Sequence, residues 1–346
     1  MSLLLTRAID HLADGLDLTE AQAAEALAEI MAGEASDVEI AGFLIALRVK
    51  GETMQELAGL ARTMRALAAF VPTDAEDLLD TAGTGGGRRT FNVSTTAALI
   101  AAGAGCLVAK HGSRSSTGLS GSADVLEALG VKIDLDAAGV ARCIREVGFG
   151  FMFAPYHHPA TGRVVGVRKE LKVRTTFNFL GPLTNPAGAS RQLLGVSDPS
   201  MLVKMAGALA LLGAHHAMLV SSDDSLDELS VSAGTRVVEV RSGELHEYTV
   251  IPEEVGLTRY AADAVPGGDP LRNAQITRAI FAGEPGAARD LALFNAGAAI
   301  YTAGHAESLA EGVELASDAI DSGAATAKLD ALVALTNEIS AAPSAQ

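Results

Sequence analysis

The hydrophobic pattern of the chain changes at Val71-Pro72, and this change limits the possible folds more than any other feature of the sequence. Before it, apolar residues recur at helical spacing, and no strand-like run separates them. Three helix starts in this region have the S/T-x-x-E/Q spacing of a capping box: Thr19 with Gln22, Ser36 with Glu39, and Thr53 with Glu56. The first 71 residues therefore predict a small all-helical domain.

After residue 72, short strand-like runs alternate with helical segments. The runs lie at 78–82, 106–109, 131–133, 149–153, 193–196, 216–220, 236–240 and 247–251. Helices are predicted at 95–104, 123–129 and 136–147, and long Ala-rich helices at 270–302 and 306–338. This alternation predicts βαβ units and an α/β fold with a mostly parallel central sheet.

Between 168 and 191 the alternation stops, and short helical pieces and rigid turns replace it. We expect this segment to return to the helical domain. The predicted division is then a helical domain of 1–71 and 168–191, and a larger α/β domain of 72–167 and 192–346. The apolar faces of the first helices, with Phe43, Leu44 and Leu47, exceed what three short helices can cover, which favours a homodimer joined through them.

The charge of the chain narrows the possible partners. Lys and Arg number 26 against 42 Asp and Glu, which gives a net charge of -16. A chain this acidic repels phosphate backbones, so we expect neither nucleic-acid nor membrane binding, although a local basic pocket for a small anion stays possible. Cys106 and Cys143 lie in apolar stretches, and the N-terminus has no signal-peptide pattern, so free thiols and a cytoplasmic location are expected.

Two strand ends carry residues suited to a phosphate group. Gly83-Thr-Gly-Gly-Gly87 follows the run at 78–82, and Phe91-Asn-Val-Ser-Thr95 opens the next helix. Glycines let backbone amides converge on an anion, and a helix N-terminus favours it; a plain turn with simple helix capping is the other reading. Lys110-His-Gly-Ser-Arg114 begins a second loop, which is rich in Ser. This loop could bind a phosphate, or it could be a solvated polar loop.

A third strand end carries acidic residues. Asp227 and Glu228 follow the run at 216–220, and adjacent carboxylates suit Mg²⁺, although a lone acidic run is usually a solvated turn. Because ligands bind beyond the carboxyl ends of the strands in open α/β sheets, the three loops together favour one site for phosphate and metal. His157-His158 follows another strand, and either ring could line the pocket or be structural.

Eight motifs occur in an order that resembles the anthranilate phosphoribosyltransferase family. They are Gly83-Thr-Gly-Gly86, Phe91-Asn-Val-Ser-Thr95, Lys110-His-Gly-Ser-Arg114, Ser120-Gly-Ser-Ala-Asp124, Val167-Arg-Lys-Glu-Leu171, Arg174-Thr-Thr-Phe-Asn178, Gly181-Pro-Leu-Thr-Asn-Pro186 and Asp227-Glu228. The resemblance covers nearly the whole chain. It implies a nucleoside phosphorylase/phosphoribosyltransferase-like fold, a homodimer through the helical part, and transfer of the phosphoribosyl group of phosphoribosyl pyrophosphate (PRPP) to anthranilate.

The resemblance also implies roles for individual residues. Contacts to PRPP are expected from Gly83, Gly86, Asn92, Ser94, Thr95, Lys110 and Ser122. The expected ligands of Mg²⁺, with two ions, are Ser94, Asp227 and Glu228. Arg168 is expected to bind the carboxylate of the acceptor, with His111 nearby. We add Gly87, Thr90, Ser113 and Arg114 to the substrate-binding set, and we assign catalytic roles to Lys110, Asp227 and Glu228.

The chain departs from the family pattern at three places. Gly87 stands where the family usually has Asp, in a loop one residue shorter; Ser113 stands where Asn is usual; and Thr117-Gly-Leu119 replaces a stretch with more serine and a cation. Three other functions stay open: transfer to another aromatic acid, pyrimidine nucleoside phosphorolysis on the same fold, and nucleic-acid binding without catalysis. Arg168 and the Asp227-Glu228 pair favour the transferase over the phosphorylase, and the net charge of -16 opposes the last.

Overall fold

The computed structural model describes residues 3–115 and 118–341. Its first part is a bundle of four helices: α1 (Leu3–Ala13), α2 (Glu20–Ala32), α3 (Asp37–Lys50) and α4 (Met54–Ala66). All three predicted capping boxes are formed, because each hydroxyl accepts from the amide three residues on and each longer side chain accepts from the N-cap amide. The prediction of an all-helical N-terminal domain is confirmed.

The second part is built on a seven-stranded sheet of order β3-β2-β1-β4-β5-β6-β7. The strands are β1 (Leu79–Gly83), β2 (Val108–Gly112), β3 (Phe149–Phe153), β4 (Arg191–Gly195), β5 (His216–Ser222), β6 (Thr235–Arg241) and β7 (Glu244–Val250). β1 to β5 run parallel, and β6 and β7 are antiparallel to their neighbours. The prediction of a mostly parallel sheet is therefore confirmed.

The remaining helices surround the sheet. They are α5 (Val93–Gly103), α6 (Ser122–Leu129), α7 (Ala137–Val147), α8 (Ala154–His157), α9 (Gly162–Leu171), α10 (Phe177–Leu180), α11 (Leu202–Leu211), α12 (Pro270–Phe281), α13 (Ala287–Thr302), α14 (Leu309–Asp321) and α15 (Ala324–Ala341). None of these described helices, nor α1 to α4, is long and apolar enough to cross a membrane.

Two predictions about elements are wrong. The run at 131–133 forms no strand, because Val131 donates to Leu126 O and Lys132 to the Thr336 hydroxyl instead of to a neighbouring strand. The long helices at 270–302 and 306–338 are each two helices, since the chain breaks at 282–286 and at 322–323, where Gly283, Gly286 and Gly323 have positive φ.

Two hydrophobic cores lie on opposite faces of the sheet. Along β5, Met218 and Val220 enter the core with α5 and α13, whereas Ala217 and Leu219 enter the core with α11 and the N-terminal helices. This alternation is the two-residue period of a strand that is buried on both faces. Phe43, Leu44 and Leu47 are each 0% exposed within a single chain, so they are not the surface available to a second subunit.

The segment between β3 and β4 returns to the helical bundle. Val164 and Val167 of α9, with Leu180 of α10 and Leu183, belong to the same core as α1 to α4. Because α9 already packs there, we propose that the helical domain resumes near Gly162, a few residues before the predicted crossing at 168. Asn185 then ties the segment to the sheet, since its amide donates to Asp80 Oδ2 at 2.7 Å and to Ala109 O at 2.8 Å.

Another buried polar cluster joins β5, β6 and β7, and β4 separates it from β1. Glu239 of β6 is 6% exposed and accepts hydrogen bonds from Tyr248 OH at 2.7 Å and Tyr301 OH at 3.0 Å. Its Oε1 is also 2.7 Å from His216 Nε2, at the first residue of β5. Burial opposes ionisation of Glu239, but these three partners outweigh it and lower the pKa of this carboxyl to about 2.

We expect Glu239→Gln to lower the free energy of unfolding by about 3 kcal/mol at neutral pH. A carboxyl with a depressed pKa stabilises the fold above its unfolded value, and this contribution disappears as the pH falls through the folded value. The difference between the two proteins should therefore shrink as the pH falls from 4.5 towards 2. Urea unfolding at several pH values measures it, with exposed Glu247→Gln on β7 as control. A pH-independent difference would contradict the assignment.

Candidate active site

The predicted phosphate and metal loops lie at one edge of the sheet. β1, β2, β4 and β5 are parallel and adjacent, so the loops that follow their carboxyl ends meet there. The strand order reverses at β1, because the chain moves from β1 to β2 on one side and β4 lies on the other. Ligands of open α/β sheets bind at such a switch point. The cleft between β1 and β4 is therefore the candidate active site.

The glycine loop after β1 contacts the acidic loop after β5 almost backbone to backbone. Gly85 N donates to Asp227 Oδ2 at 3.0 Å, and Arg88 N donates to Ser225 O at 2.7 Å. A Cβ at Gly87 would lie 2.7 Å from Ser225 O and 2.8 Å from Asp227 Oδ1. Glycine at position 87, where the family pattern usually has Asp, is thus required by this approach.

Lys110 of β2 is 0% exposed and lies beside Thr81 of β1. Its ammonium donates to Thr81 O and to Thr81 Oγ1, and it is 3.4 Å from Ser94 Oγ in the first turn of α5. Burial lowers the pKa of Lys110 to about 8, against the opposing attraction of Asp80 and Glu228. A positive charge is therefore held at the floor of the cleft, between the strand ends and the helix N-terminus.

Asp227 and Glu228 place two carboxyl groups in the loop after β5, and Glu228 is close enough to Lys110 for their charges to interact. Burial raises the pKa of Asp227, although the Gly85 amide and Arg174 oppose the shift. The pKa of Glu228 is raised well above its usual value, first by burial and then by the adjacent Asp227. Adjacent carboxyl groups that resist joint ionisation suit a hard divalent cation, so the chemistry of Asp227 and Glu228 fits Mg²⁺, whereas the Ser94 hydroxyl lies beside the Lys110 ammonium.

Asn92 connects three parts of the cleft wall. Its amide donates to Ser120 O at 3.1 Å, while its Oδ1 accepts from the Ser120 hydroxyl at 2.9 Å and from Asn273 at 2.8 Å. These bonds join the start of α5 to the serine-rich loop and to α12. The position of Asn92 next to the glycine loop is therefore fixed by the fold.

Three predicted binding residues lie around Asn92. Thr90 is half-buried, and a Cβ at Gly267 would collide with its carbonyl. Thr95 is 1% exposed, and its Oγ1 has no hydrogen-bond partner among the residues that the structure describes. Ser122 begins α6 and packs against Gly112 at the end of β2. All three lie at the same edge of the sheet as the glycine loop.

The residues predicted for the acceptor side include the His111 imidazole and the Arg168 guanidinium, and His158 lies next to His111. The rings of His111 and His158 are 5.0 Å apart, and burial lowers their pKa values to about 3 and about 4. Arg168 of α9 is half-buried, donates to Asn178 Oδ1 at 3.3 Å, and lies 5.6 Å from the centre of the Phe177 ring. His157 turns away instead, with Nδ1 at 3.3 Å from Ala69 O.

Ser113 and Arg114 lie farther out on the second loop. Ser113 is exposed, and its carbonyl accepts from Ala123 N at 3.2 Å. Arg114 is also exposed and pairs with Asp124 at 2.8 Å and Glu127 at 2.5 Å, so these two carboxylates balance its charge. Thr117, one of the positions that departs from the family pattern, lies outside the described residues.

Sequence reasoning missed three charged residues at this site. Asp80 of β1 is 0% exposed, and it accepts from His111 N at 3.0 Å as well as from the Asn185 amide. Arg88 pairs with Asp224 at 2.9 Å. Arg174 lies against Gly86. For Asp80, an Asp inside an apolar strand is a signal that the sequence shows. The contacts of Arg88 and Arg174 join distant segments of the chain, and no local pattern predicts them.

Comparisons with known proteins agree with this architecture. A family model described as "Glycosyl transferase family, a/b domain" matches residues 75–326, and one described as "Glycosyl transferase family, helical bundle domain" matches residues 6–68. A two-domain glycosyltransferase is the class that the fold and the cleft define. The matched ranges leave out 69–74 between them, close to the change of pattern at Val71-Pro72.

Individual relatives are more specific. Anthranilate phosphoribosyltransferase from Roseiflexus castenholzii is 54% identical over 326 residues, which are 93% of this chain and 96% of that one. The crystal structure of the Thermus thermophilus enzyme of that name has a TM-score of 0.91 and 45% identity, over 95% of this chain and 99% of that one. The Saccharomyces cerevisiae enzyme in complex with PRPP and Mg has a TM-score of 0.89 and 26% identity, over 98% and 99%. The chain belongs to the anthranilate phosphoribosyltransferase family.

We expect Gly87→Ala to destabilise the protein by roughly 1–3 kcal/mol, because the added methyl must displace the Ser225–Asp227 backbone. Urea unfolding measures this change. Gly166→Ala in α9 is the matched control, since a Cβ there has no heavy atom within 4 Å. Equal stability of the Gly87 variant and the wild type would show that the two loops are not locked together.

Proposed function

We propose that the chain transfers the 5-phosphoribosyl group of PRPP to the amine of anthranilate, giving N-(5-phosphoribosyl)anthranilate and pyrophosphate. The observation that carries this proposal is the convergence of a glycine loop, the buried Lys110 and the Asp227-Glu228 pair at one edge of the sheet. Such a site can hold and neutralise a diphosphate. The family to which the chain belongs supports anthranilate as the acceptor.

Departure of the diphosphate is the step that this chain's residues assist. As the bond from ribose C1 to the pyrophosphate oxygen lengthens, positive charge develops on the sugar and negative charge on the leaving group. We assign Lys110 to the stabilisation of that negative charge, because its ammonium is already desolvated and oriented by Thr81. The substrate-binding set stays as predicted: Gly83, Gly86, Gly87, Thr90, Asn92, Ser94, Thr95, Lys110, His111, Ser113, Arg114, Ser122 and Arg168.

Asp227, Glu228 and Ser94 are the residues that would hold Mg²⁺, and we propose two ions because the substrate carries several negative charges. When bound, Mg²⁺ neutralises the pyrophosphate oxygens. A complex with PRPP and Mg is known for the Saccharomyces cerevisiae relative. The adjacent carboxyl groups of this chain, whose pKa values are both raised by burial, would ionise together once a cation balances them.

The acceptor needs orientation and no strong base. An aniline nitrogen is already a nucleophile, and His111, with its pKa lowered to about 3, is neutral near physiological pH. We assign Arg168 to the carboxylate of anthranilate, which places the amine towards ribose C1. Partial burial of the guanidinium strengthens such a pair, because fewer waters compete for it.

Pyrophosphate release with a panel of aromatic acids tests the proposal. We expect turnover with anthranilate and none with thymidine and phosphate. Turnover with a different aromatic amine alone would keep the reaction class and overturn the acceptor. Phosphorolysis of thymidine would support the phosphorylase reading instead, and a gel shift at low salt would detect nucleic-acid binding.

We expect Glu228→Ala to lose nearly all transferase activity, and EDTA to abolish the activity of the wild type. Both changes remove the charge that balances the pyrophosphate. Asp223→Asn, an exposed acidic residue of the same loop, is the matched control and should retain activity. Full turnover in EDTA, or by the Glu228 variant, would overturn the metal assignment.

We also propose a cytoplasmic homodimer. The two cysteines of the chain are free and buried, as a reducing compartment allows. For the contact between subunits we propose one face of α3, where Val38 and Val49 are 82% and 81% exposed. About three helical turns separate them, so they share a face, and half-buried Ile45 lies between them. The resemblance to the family favours this helical part as the interface.

The double substitution Val38→Glu with Val49→Glu should convert a dimer into a monomer, because four carboxylates would meet at the proposed contact. Light scattering at micromolar concentration measures the mass. Leu271→Glu, 68% exposed on α12, is the control and should stay dimeric. A monomeric wild type, or a dimeric double variant, would refute this interface.

A further inference from the structure

Arg174 belongs to the connection between α9 and α10, yet it reaches the glycine loop of the other half of the molecule. Its side chain is exposed to the cleft, and its guanidinium packs on the Gly86 backbone. A Cβ at Gly86 would lie 1.7 Å from Arg174 Nη2 and 3.0 Å from Cζ. Only a residue without a Cβ allows this contact. Position 86 also favours glycine because its φ is +92°.

The loop beneath Arg174 has the backbone of an anion cradle. Gly85 and Gly86 are consecutive residues with positive φ, at 65° and 92°. Glycine loops of this kind turn successive amides towards one side, where an anion can approach, and the Gly85 amide already donates to one anionic group, the Asp227 carboxylate. Arg174 lies over that loop, so its guanidinium and the loop would contact the same anion from two directions.

The other cations near the cleft are engaged differently. Arg114 pairs with Asp124 and Glu127, and Arg88 pairs with Asp224. Lys110 is buried and donates to Thr81. Arg174 is exposed to the cleft and close enough to Asp227 to act on its charge.

We propose that Arg174 binds the diphosphate of PRPP against the glycine loop, and that it is a diphosphate-binding residue supplied by the helical half of the molecule. This inference rests on the proposed function. A guanidinium offers paired donors that match two phosphate oxygens. Arg174 therefore stabilises the leaving group together with Lys110. Because Arg168 lies on the same segment, one stretch of chain holds both the acceptor and the leaving group.

Calorimetric titration of the full-length protein with inorganic pyrophosphate in the presence of Mg²⁺ tests the proposal without requiring turnover. We expect Arg174→Gln to weaken pyrophosphate binding about tenfold, which is the effect of losing a charge-assisted pair. Arg174→Lys should recover part of the affinity, because it keeps the charge and loses the fork. Lys172→Gln, which removes an exposed charge from the same connection, is the matched control and should bind as the wild type.

Steady-state kinetics separate binding of the diphosphate from effects on the acceptor. Arg174→Gln should raise KM for PRPP and leave KM for anthranilate unchanged. Wild-type affinity for pyrophosphate in Arg174→Gln would overturn the proposal, and so would an equal loss in Lys172→Gln or no recovery in Arg174→Lys. If the wild type binds pyrophosphate in this Arg174-dependent way but transfers phosphoribose to no aromatic acid, the proposed function fails and the diphosphate site stands.

Discussion

The site depends on a pair of opposite charges buried in adjacent strands. Asp80 of β1 and Lys110 of β2 are both 0% exposed, and each favours the charged form of the other. Isolated burial of either charge would be unfavourable, so each needs partners. Asn185 and the His111 amide supply them for Asp80, and Thr81 supplies them for Lys110. One polar network thus fixes the ammonium, the strand register and the returning helical segment together.

Around this network, glycine decides how closely the loops approach. A Cβ at Gly195 of β4 would lie 1.6 Å from Asp227 O, and Gly87 is similarly crowded by the same loop. The loop after β1 and the loop after β5 can therefore share one small volume. The two carboxyl groups and the backbone of the glycine loop lie close together only because Gly87 and Gly195 carry no side chain.

The sequence predicted the elements better than the contacts between them. Capping boxes and alternating apolar runs are local signals, and most elements that they indicated formed with shifts of a few residues at the ends. The run at 131–133 packs into the core from an extended loop, because periodicity reports burial and does not specify a neighbouring strand. Lys110 was predicted as a site residue because the carboxyl ends of parallel strands share one edge of the sheet. The position of Arg174 over Gly86 depends instead on how α9 and α10 return to the bundle, which no local spacing encodes.

The two ends of β5 carry separate electrostatic systems. His216 begins the strand beside Glu239 and two tyrosines, and the loop that follows its last residue carries Asp227 and Glu228. Six further residues of buried strand follow His216 before that loop. Because Asp227 packs against Gly195, the strand partner of Val220, the cleft carboxyl groups lie about four residues, or about 13 Å, from His216 along β5. A substitution at Glu239 can therefore change the pH dependence of stability without replacing a catalytic group.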